Sequence, residues 1–365
     1  MTPFLIAPVL LLVASFPWLL RLLTPRSNPK RTTTQKPSTI TSLRIYPIKS
    51  CRGIELSKSK LCTTGLDLDR RWMIVDAKTH VFLTIRQIPE MTCIRTALSD
   101  DGAELILSVV DPNGKRIGSE PEVRIPAHPD QAWLETHARL ASDVKIWDTV
   151  TDGYIYSERV GVNQLFSRFL NQDVVLVYKG PTRRILKGNG DPRLLGREEH
   201  TNFPDVLPLL IASEASMNEL NSRLTRQGHA PITIERFRPN IIIRGDGAAP
   251  WAEDSWKTVR ISSAAGSSAG DDSMEEGKST SKSMTVDIVA RCGRCQVPNV
   301  DPDSAEKHKT QPWDTMMGYR RVDEGLKYKP CFGMLGVPRG EGEVGVGMQF
   351  EVLEETDKHR YVKGF

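Results

Sequence analysis

The chain has 365 residues, a formal net charge of +4, 39% hydrophobic residues and 26% charged residues. This length suits two modest domains, and the composition is typical of a folded globular protein. The mild charge, with no block of Lys and Arg beside stacking aromatic residues, argues against nucleic-acid binding. Six cysteines are scattered along the chain, which favours reduced thiols over a disulfide framework.

The N-terminal segment is the most apolar part of the sequence. Residues 2–20, TPFLIAPVLLLVASFPWLL, carry no charged side chain and as a helix would rise about 28 Å, close to the roughly 30 Å core of a bilayer. Basic residues follow from Arg21 onward, so the positive-inside rule places the C-terminal bulk in the cytosol. We expect a transmembrane anchor at 1–23 and a flexible basic linker at 24–39, in preference to a signal peptide or a buried helix.

The next region reads as mostly β structure with one short helix. Alternating or continuous apolar residues predict strands, and a helical spacing of apolar residues predicts an amphipathic helix. The predicted strands are ITSLRIYPIK (40–49), WMIVDA (72–77), ELILSVV (104–110) and DVVLVYK (173–179), and the predicted helix is VNQLFSRFL (162–170).

The second half follows a loop at 180–204 and is again rich in strand patterns. Ser216 and Glu219 resemble a capping box at the start of a helix that Gly228 ends. Residues 262–283 are almost free of apolar side chains, and we interpret them as a disordered insertion between two strands. The fold class is therefore mostly β, a barrel-like sheet with a few helices. The predicted strands are PLLIA (208–212), ITIERF (232–237), NIIIRG (240–245), WKTVRI (256–261), MTVDIVA (284–290) and GMQFEVLEE (347–355).

Two cysteines at the spacing C-x-x-C lie in ARCGRCQVPNVDPDS, residues 290–304. A structural zinc site needs four ligands, but no second C-x-x-C pair is present and His308 is the nearest downstream histidine. A redox pair normally opens a helix, which the prolines that follow disfavour. Two inert core cysteines remain an alternative. The positive charge of Arg294 beside Cys295 would instead favour a thiolate, the form that binds a soft transition metal.

Three further segments place cationic or amide groups at strand ends. Lys49 and Ser50 lie in YPIKSCRG, Arg70 lies in LDLDRRWM, and Arg238 and Asn240 lie in FRPNIII. Each is a weak signal alone, because an arginine at a strand end is usually a solvated charge. The sequence contains no Walker A loop, no dinucleotide-binding G-x-G-x-x-G and no nucleophile elbow, so nucleotide-cradle and hydrolase functions lack their motifs.

Taken in order, these motifs resemble the MOSC family, and in particular its mitochondrial amidoxime-reducing component (mARC) branch of membrane-anchored molybdenum enzymes. The resemblance covers about residues 40–355. It implies a MOSC N-terminal β-barrel region at 40–180 and a MOSC β-barrel-like domain at 181–357. The segments that carry it are YPIKSCRG, DRRW, IRQIP, SEAS, FRPN, AEDSW, RCQVPNVDPD and CFG.

The resemblance also implies a cofactor, Mo-molybdopterin, and a set of residues that hold it. Cys295, in the pattern R-C-x-x-x-x-V-D-P, matches the metal ligand and the catalytic position, which leaves Cys292 structural or incidental. The matching cofactor contacts are Lys49, Ser50 and Arg70, with phosphate the target of Lys49 and Arg70, and Asp205, Arg238, Asn240 and Arg294 around the pterin. Two positions depart from animal relatives: Gly293 replaces a serine and Leu335 replaces a tyrosine.

The activity implied by the resemblance is removal of oxygen from amidoximes, hydroxylamines and other N-hydroxylated compounds. Electrons would come from NADH through cytochrome b5 reductase and cytochrome b5, at the mitochondrial outer membrane with the catalytic domain facing the cytosol; the endoplasmic reticulum is physically as compatible. A cofactor carrier or sulfurase-type MOSC protein is an alternative, disfavoured because such proteins usually carry a long pyridoxal-phosphate domain upstream. Two further alternatives are a non-enzymatic binding module and a nitrate or nitrite reductase that produces nitric oxide.

Overall fold

The computed structural model describes residues 37–111, 122–245, 247–263 and 283–364. The predicted anchor, nearly all of the linker and nearly all of the predicted insertion lie outside these stretches. Within them, no helix is both long and apolar enough to cross a membrane.

Strands dominate the described residues, as predicted. The helices are α1 (Gln131–His137), α2 (Val162–Leu170), α3 (Pro192–Leu195), α4 (Glu214–Arg226) and α5 (Trp313–Tyr319). The strands are β1 (Ser38–Ile45), β2 (Ile54–Leu56), β3 (Lys58–Cys62), β4 (Gly65–Leu66), β5 (Trp72–Asp76), β6 (Ile94–Leu98), β7 (Glu104–Val109), β8 (Val123–Pro126), β9 (Ala138–Ile146), β10 (Thr149–Tyr156), β11 (Val174–Lys179), β12 (Arg184–Ile185), β13 (His200–Thr201), β14 (Leu209–Ser213), β15 (Ile241–Ile243), β16 (Trp256–Ser262), β17 (Met284–Gly293), β18 (Cys331–Pro338), β19 (Gly342–Gly345) and β20 (Gln349–Glu355).

A closed barrel forms the centre of the molecule. Its seven strands follow the order β15-β14-β18-β17-β16-β20-β1, and pairing of β1 with β15 closes the ring. The first strand makes this possible because its start pairs with β20 and its middle with β15. Strand β18 is buried along its whole length, as its apolar sequence CFGMLGVP requires. The barrel therefore includes one strand, β1, from the first predicted domain. The boundaries of the two domains remain a prediction.

A second sheet, in the order β5-β11-β10-β9, lies beside the barrel. The same alternation that predicted β5 and β11 buries Met73, Val75 and Val177 in a separate apolar core. Helix α2 has the predicted bounds, and Asn163 fixes it to the sheet by donating to the Tyr156 carbonyl at 2.7 Å. Strands β16 and β17 pair with each other, so the predicted insertion lies between two neighbouring strands.

Two local predictions were wrong. The segment ITIERF contains a 3-10 helix, Ile234–Phe237, instead of a strand. Helix α4 is capped by Ser213, whose hydroxyl accepts from the Ala215 amide, and not by Ser216. Ser216 is instead buried inside the helix and accepts a hydrogen bond from the Trp251 amide at 2.8 Å. The predicted capping pair therefore fixes a neighbouring loop, because Glu219 also accepts from the Trp251 indole.

Gly333 in β18 is a position that only glycine fits. Its φ is +72°, in the left-handed region, and an added Cβ would lie 2.8 Å from the Ile211 carbonyl oxygen. We expect Gly333→Ala to lower the free energy of unfolding by about 1–3 kcal/mol through backbone strain. Urea unfolding measures this, with Gly340→Ala as control, since a Cβ there meets no atom within 4 Å. Equal losses in the two variants would contradict the argument.

Glu253 is a buried carboxyl, 1% exposed, in the 3-10 turn Ala252–Ser255. Burial raises its pKa to about 7, although nearby Ser216 opposes the change. A folded-state pKa above the unfolded value, about 4.3, gives stability that is present at low pH and lost as the pH rises through about 7.

Glu253→Gln should therefore stabilise the protein more at about pH 8 than at about pH 5. The glutamine cannot ionise, so the gain in the free energy of unfolding should be larger at the higher pH by roughly 2 kcal/mol. Urea unfolding at both pH values checks this, with the exposed Glu135→Gln as control. The same gain at both pH values would contradict the raised pKa.

Candidate functional site

All the residues predicted to hold a cofactor line one cavity of about 170 Å³. A single water needs roughly 10–15 Å³ of such volume, so the cavity has room for a group much larger than one ion. The sequence motifs, which lie far apart along the chain, are therefore brought together as expected. The predicted residues in the lining are Lys49, Ser50, Arg70, Asp205, Arg238, Asn240, Arg294 and Cys295.

Three of these residues have backbones in the left-handed region. The φ angles are +72° for Ser50, +49° for Arg70 and +58° for Arg238. Such angles are uncommon outside glycine and cost of order 1–2 kcal/mol each. Each residue lies in a turn just outside a strand or 3-10 helix, so the fold accepts strain where it turns these side chains toward the cavity.

The guanidinium groups of Arg70 and Arg238 both lie against the same buried aromatic ring. Their guanidinium carbons lie 4.6 Å and 4.1 Å from the centroid of Tyr46, which is fully buried. Burial, together with the charge of Arg70, lowers the pKa of Arg238 to about 10. The Tyr46 ring and the Asp69 carboxylate, 2.5 Å from Arg70, offset part of the cost of gathering these charges.

Asn240 positions Arg70 and the strand beside it. Its buried side-chain carbonyl accepts from Arg70 Nη1 at 3.2 Å and from the Leu210 amide at 3.1 Å. Its amide nitrogen donates to the Arg44 carbonyl at 3.2 Å. Asn240 thus lines the cavity, and both the oxygen and the nitrogen of its side-chain amide form hydrogen bonds with protein atoms.

Among the described residues that line the cavity, two buried cationic donor atoms have no hydrogen-bond partner. They are Nη2 of Arg238 and Nε of Arg294. A buried donor without a partner costs about 1–3 kcal/mol, and more when the group is charged. The lining therefore presents charged hydrogen-bond donors that an anionic ligand with several oxygen or nitrogen acceptors would satisfy.

Asp205 is the counter-ion of the cavity. Its carboxylate pairs with Lys49 Nζ, with Arg86 Nη2 at 2.9 Å and with Trp147 Nε1 at 3.1 Å. Burial alone would raise the pKa of Asp205, but the Lys49 and Arg86 charges outweigh it and hold this pKa well below its usual range. Burial lowers the pKa of Lys49 to about 8, even with Asp205 in contact.

Arg86 is a site residue that the sequence analysis missed. Its Nε lies 3.2 Å from the Cys295 sulfur, and its guanidinium stacks 4.6 Å from the ring centroid of Trp147. It therefore connects the predicted metal ligand to Asp205. Arg86 lies in the segment IRQIP that carried part of the family resemblance, which was the available signal.

The prediction that the Arg294 side chain lies beside the Cys295 thiol was wrong. Arg294 adjoins it in sequence, but the Arg294 guanidinium donates to the Cys292 sulfur at 3.0 Å and to the Phe237 carbonyl at 2.9 Å. Cys295 has Arg86 beside it instead. Alternate residues of the turn point in different directions, so adjacency in sequence does not place the two side chains together.

Both cysteines of the C-x-x-C segment line the cavity, and all six cysteines of the chain are free. Within the described stretches, no group of three or more His, Cys, Asp and Glu side chains is placed to hold a metal ion. The Cys292 sulfur accepts a hydrogen bond from Arg294.

The lining also contains apolar residues and the two positions, 293 and 335, that the family resemblance singled out. A Cβ at Gly293 would lie 2.6 Å from Leu326 Cδ1, so Leu326 fills the space that a larger residue at 293 would need. Leu335 and Tyr361 also line the cavity. Sequence reasoning flagged Gly293 and Leu335 but gave no signal for Leu326 or Tyr361.

The chain matches two known domain families. Residues 37–173 match the MOSC N-terminal beta barrel domain, and residues 198–351 match the MOSC domain. The two matches together cover most of the chain, which therefore belongs to the MOSC-domain proteins, as the resemblance suggested.

The relatives fall into two groups. The chain is 30% identical to a molybdenum cofactor sulfurase of Arabidopsis thaliana over 80% of this chain and 32% of that protein. It is 28% identical to mitochondrial amidoxime-reducing component 1 of Mus musculus over 88% of this chain and 84% of that protein. Mitochondrial amidoxime reducing component 2 of Homo sapiens is 27% identical over 87% of this chain and 84% of its own length. The chain thus spans about a third of the sulfurase it matches.

Asp205→Asn tests the balance of charge in the cavity. The change leaves Lys49 and Arg86 without their shared carboxylate, so we expect the free energy of unfolding to fall by about 2 kcal/mol. This is less than for a fully buried pair because the Asp205 side chain is 35% exposed. Urea unfolding without phosphate measures the loss in the free energy of unfolding. The same experiment with inorganic phosphate measures how much of that loss a bound anion recovers.

The matched control is Asp303→Asn, which breaks the ion pair of an exposed carboxylate with Arg52. Exposed pairs contribute about 0–1 kcal/mol, so this variant should unfold almost as the wild type does. If Asp205→Asn were no more destabilising than Asp303→Asn, Asp205 would not be the counter-ion of the cavity.

Proposed function

We propose that this protein is a molybdenum-cofactor-dependent reductase of N-hydroxylated compounds. For an amidoxime, two electrons and two protons break the N–O bond and give the amidine and one water. The substrate is reduced, and NADH, the proposed source of the electrons, is oxidised. The names of the relatives that the chain matches along most of their length support this choice of reaction.

The observation that carries the proposal is the chemistry of the cavity lining. A thiol, Cys295, faces the same space as a group of buried cations, two of which keep unpartnered donors. A thiolate suits a soft transition metal, and arginine and lysine suit a phosphate. Mo-molybdopterin combines both requirements, so the residues present fit this group.

A bound molybdenum cofactor supplies the two-electron redox chemistry that the reaction needs. The chain's own residues bind and orient it. Lys49 and Arg70 offer charged donors to the terminal phosphate, and Arg238, Arg294 and Asn240 lie where the pterin would be held. Cys295 is the proposed metal ligand.

Arg86 and Asp205 hold the Cys295 thiol in place. Arg86 donates to the sulfur and is itself fixed by Asp205 and by the face of Trp147. This network keeps a positive group beside the sulfur and limits the directions in which the side chain can turn. We therefore assign Arg86 and Asp205 a positioning role.

The electron donors and the location belong to the same proposal. Cytochrome b5 and its NADH-dependent reductase would deliver electrons one at a time, and an anchor at residues 1–23 would hold the enzyme at the mitochondrial outer membrane, facing the cytosol. The word mitochondrial in the names of the relatives supports this location. A shared membrane surface would raise the effective concentration of the three proteins.

A carrier or sulfurase-type role for the MOSC domain is the second candidate. The 30% identity to a molybdenum cofactor sulfurase favours it. Both candidates use the same cationic lining, so cofactor binding alone does not separate them. Turnover of an amidoxime does, because a carrier binds the cofactor without reducing N-hydroxylated substrates.

Cys295→Ser should abolish amidoxime reduction and lower the molybdenum content well below one per chain. The serine hydroxyl is a poor substitute for a thiolate as a ligand of a soft metal. Molybdenum, released pterin and NADH-driven turnover are measured on protein made in a host that synthesises the cofactor. Circular dichroism and urea unfolding check that the fold is kept.

The control is Cys62→Ser, since Cys62 lies in β3 and is not among the residues that line the cavity. This variant should keep its molybdenum and its activity. Full turnover in Cys295→Ser would refute the ligand assignment. Metal and pterin bound by the wild type without turnover of any N-hydroxylated compound would favour the carrier, and neither bound would leave a binding module.

A further inference from the structure

The chain continues past the last barrel strand, and this continuation returns to the cavity. Strand β20 ends at Glu355, and the match to the MOSC domain ends at residue 351. The segment Thr356–Gly364, which we call the C-terminal strap, follows it. The strap thus lies outside the part of the chain that defines the family, yet its Tyr361 lines the cavity.

Hydrogen bonds hold the strap at several points along its length. Asn189 binds its backbone twice, donating to the Arg360 carbonyl at 2.9 Å and accepting from the Val362 amide at 2.7 Å. The Tyr361 amide donates to Asp323 Oδ1 at 2.8 Å. Arg291 donates to the His359 carbonyl at 3.0 Å. These four contacts, at consecutive residues of the strap, fix its backbone to the domain.

Two glycines show how closely the strap approaches the domain. A Cβ at Gly325 would lie 2.0 Å from the Tyr361 carbonyl oxygen, and one at Gly188 would lie 2.4 Å from that of Val362. Both contacts are with backbone atoms, which cannot move aside as the end of a side chain can. The docking surface is therefore shaped to receive the strap backbone.

Tyr361 adds apolar surface to the cavity lining. It packs against the cluster of buried residues that includes Leu335, and Leu326 also lines the cavity. The strap therefore brings a tyrosine from a distant part of the chain to the apolar residues of the lining.

We propose that the C-terminal strap is a fixed wall of the site and that Tyr361, with Leu326 and Leu335, contacts the apolar part of the substrate and determines selectivity for it. The apolar surface of Leu326, Leu335 and Tyr361 in this lining suits a substituent without charge. The reaction on which the selectivity acts rests on the proposed function. The position of the wall rests on the contacts alone.

The test compares two amidoximes that share the reacting group but differ in apolar size, benzamidoxime and acetamidoxime. In the full-length holoenzyme, Tyr361→Ala should lower the ratio of kcat/KM for benzamidoxime to that for acetamidoxime about tenfold, mainly through KM. Tyr361→Phe keeps the ring and should keep the ratio within about twofold. Asn189→Ala loosens the strap without touching the cavity and should lower the ratio part of the way.

A second readout does not depend on turnover. The affinities for benzamidine and acetamidine, measured by calorimetry, should show the same loss for the ring compound in Tyr361→Ala. Molybdenum per chain, measured in each variant, should stay at the wild-type value and so separate loss of selectivity from loss of cofactor.

Unchanged ratios and unchanged benzamidine affinity in Tyr361→Ala, at full molybdenum content, would overturn the inference. If even the wild type reduced neither amidoxime, the proposed function would fail. The amidine affinities would then still decide whether Tyr361 forms a wall for an apolar group.

Discussion

The structure depends on a concentration of positive charge that the protein alone does not neutralise. Lys49, Arg86, Arg238 and Arg294 lie around one cavity, and its carboxylate, Asp205, pairs with the first two. Placing like charges in a poorly solvated space is costly, and the lowered pKa values of Lys49 and Arg238 express that cost. Contacts of the cations with aromatic rings and backbone carbonyls offset part of this cost. The donors that remain without a partner require hydrogen-bond acceptors from the ligand.

The barrel makes this arrangement of charges possible. A closed sheet has rigid strand ends, so the turns beside them can hold left-handed residues without unfolding, as at Ser50 after β1 and at Arg238 before β15. A flexible loop would relax the strain and let the cations move apart toward water. The strained turns and the charged cavity are therefore two consequences of the same rigid framework.

How much the sequence could predict depended on whether the signal was local. Alternation identified β7, continuous apolar runs identified β5 and β11, and a helical spacing of apolar residues identified α2, because each signal lies within its own segment. Alternation failed for ITIERF, where apolar residues alternate but the chain must turn to direct Arg238 inward.

The site shows the same division. The family motifs brought the eight predicted residues to one cavity, but they did not reveal the contact of Arg86 with Cys295, which spans 209 positions. Side-chain direction decides such contacts, and it also explains why Arg294 turned to Cys292. The strap was missed for a further reason, since its composition gives no sign of the contacts that its backbone makes with distant residues such as Asn189.

The charged and the apolar residues of the lining follow different constraints, and this bears on how such a protein could change its substrates. The charged motif residues are coupled through their strain, pairing and unpartnered donors, so a single substitution among them disturbs several charges at once. The contacts of Leu326, Leu335 and Tyr361 are non-directional and tolerate changes of size at modest cost. Selectivity can therefore vary through the strap and its neighbours while the cofactor chemistry stays fixed. A wall supplied by a segment beyond the family domain is the least constrained place to make that change, because it carries none of the charges on which the cavity depends.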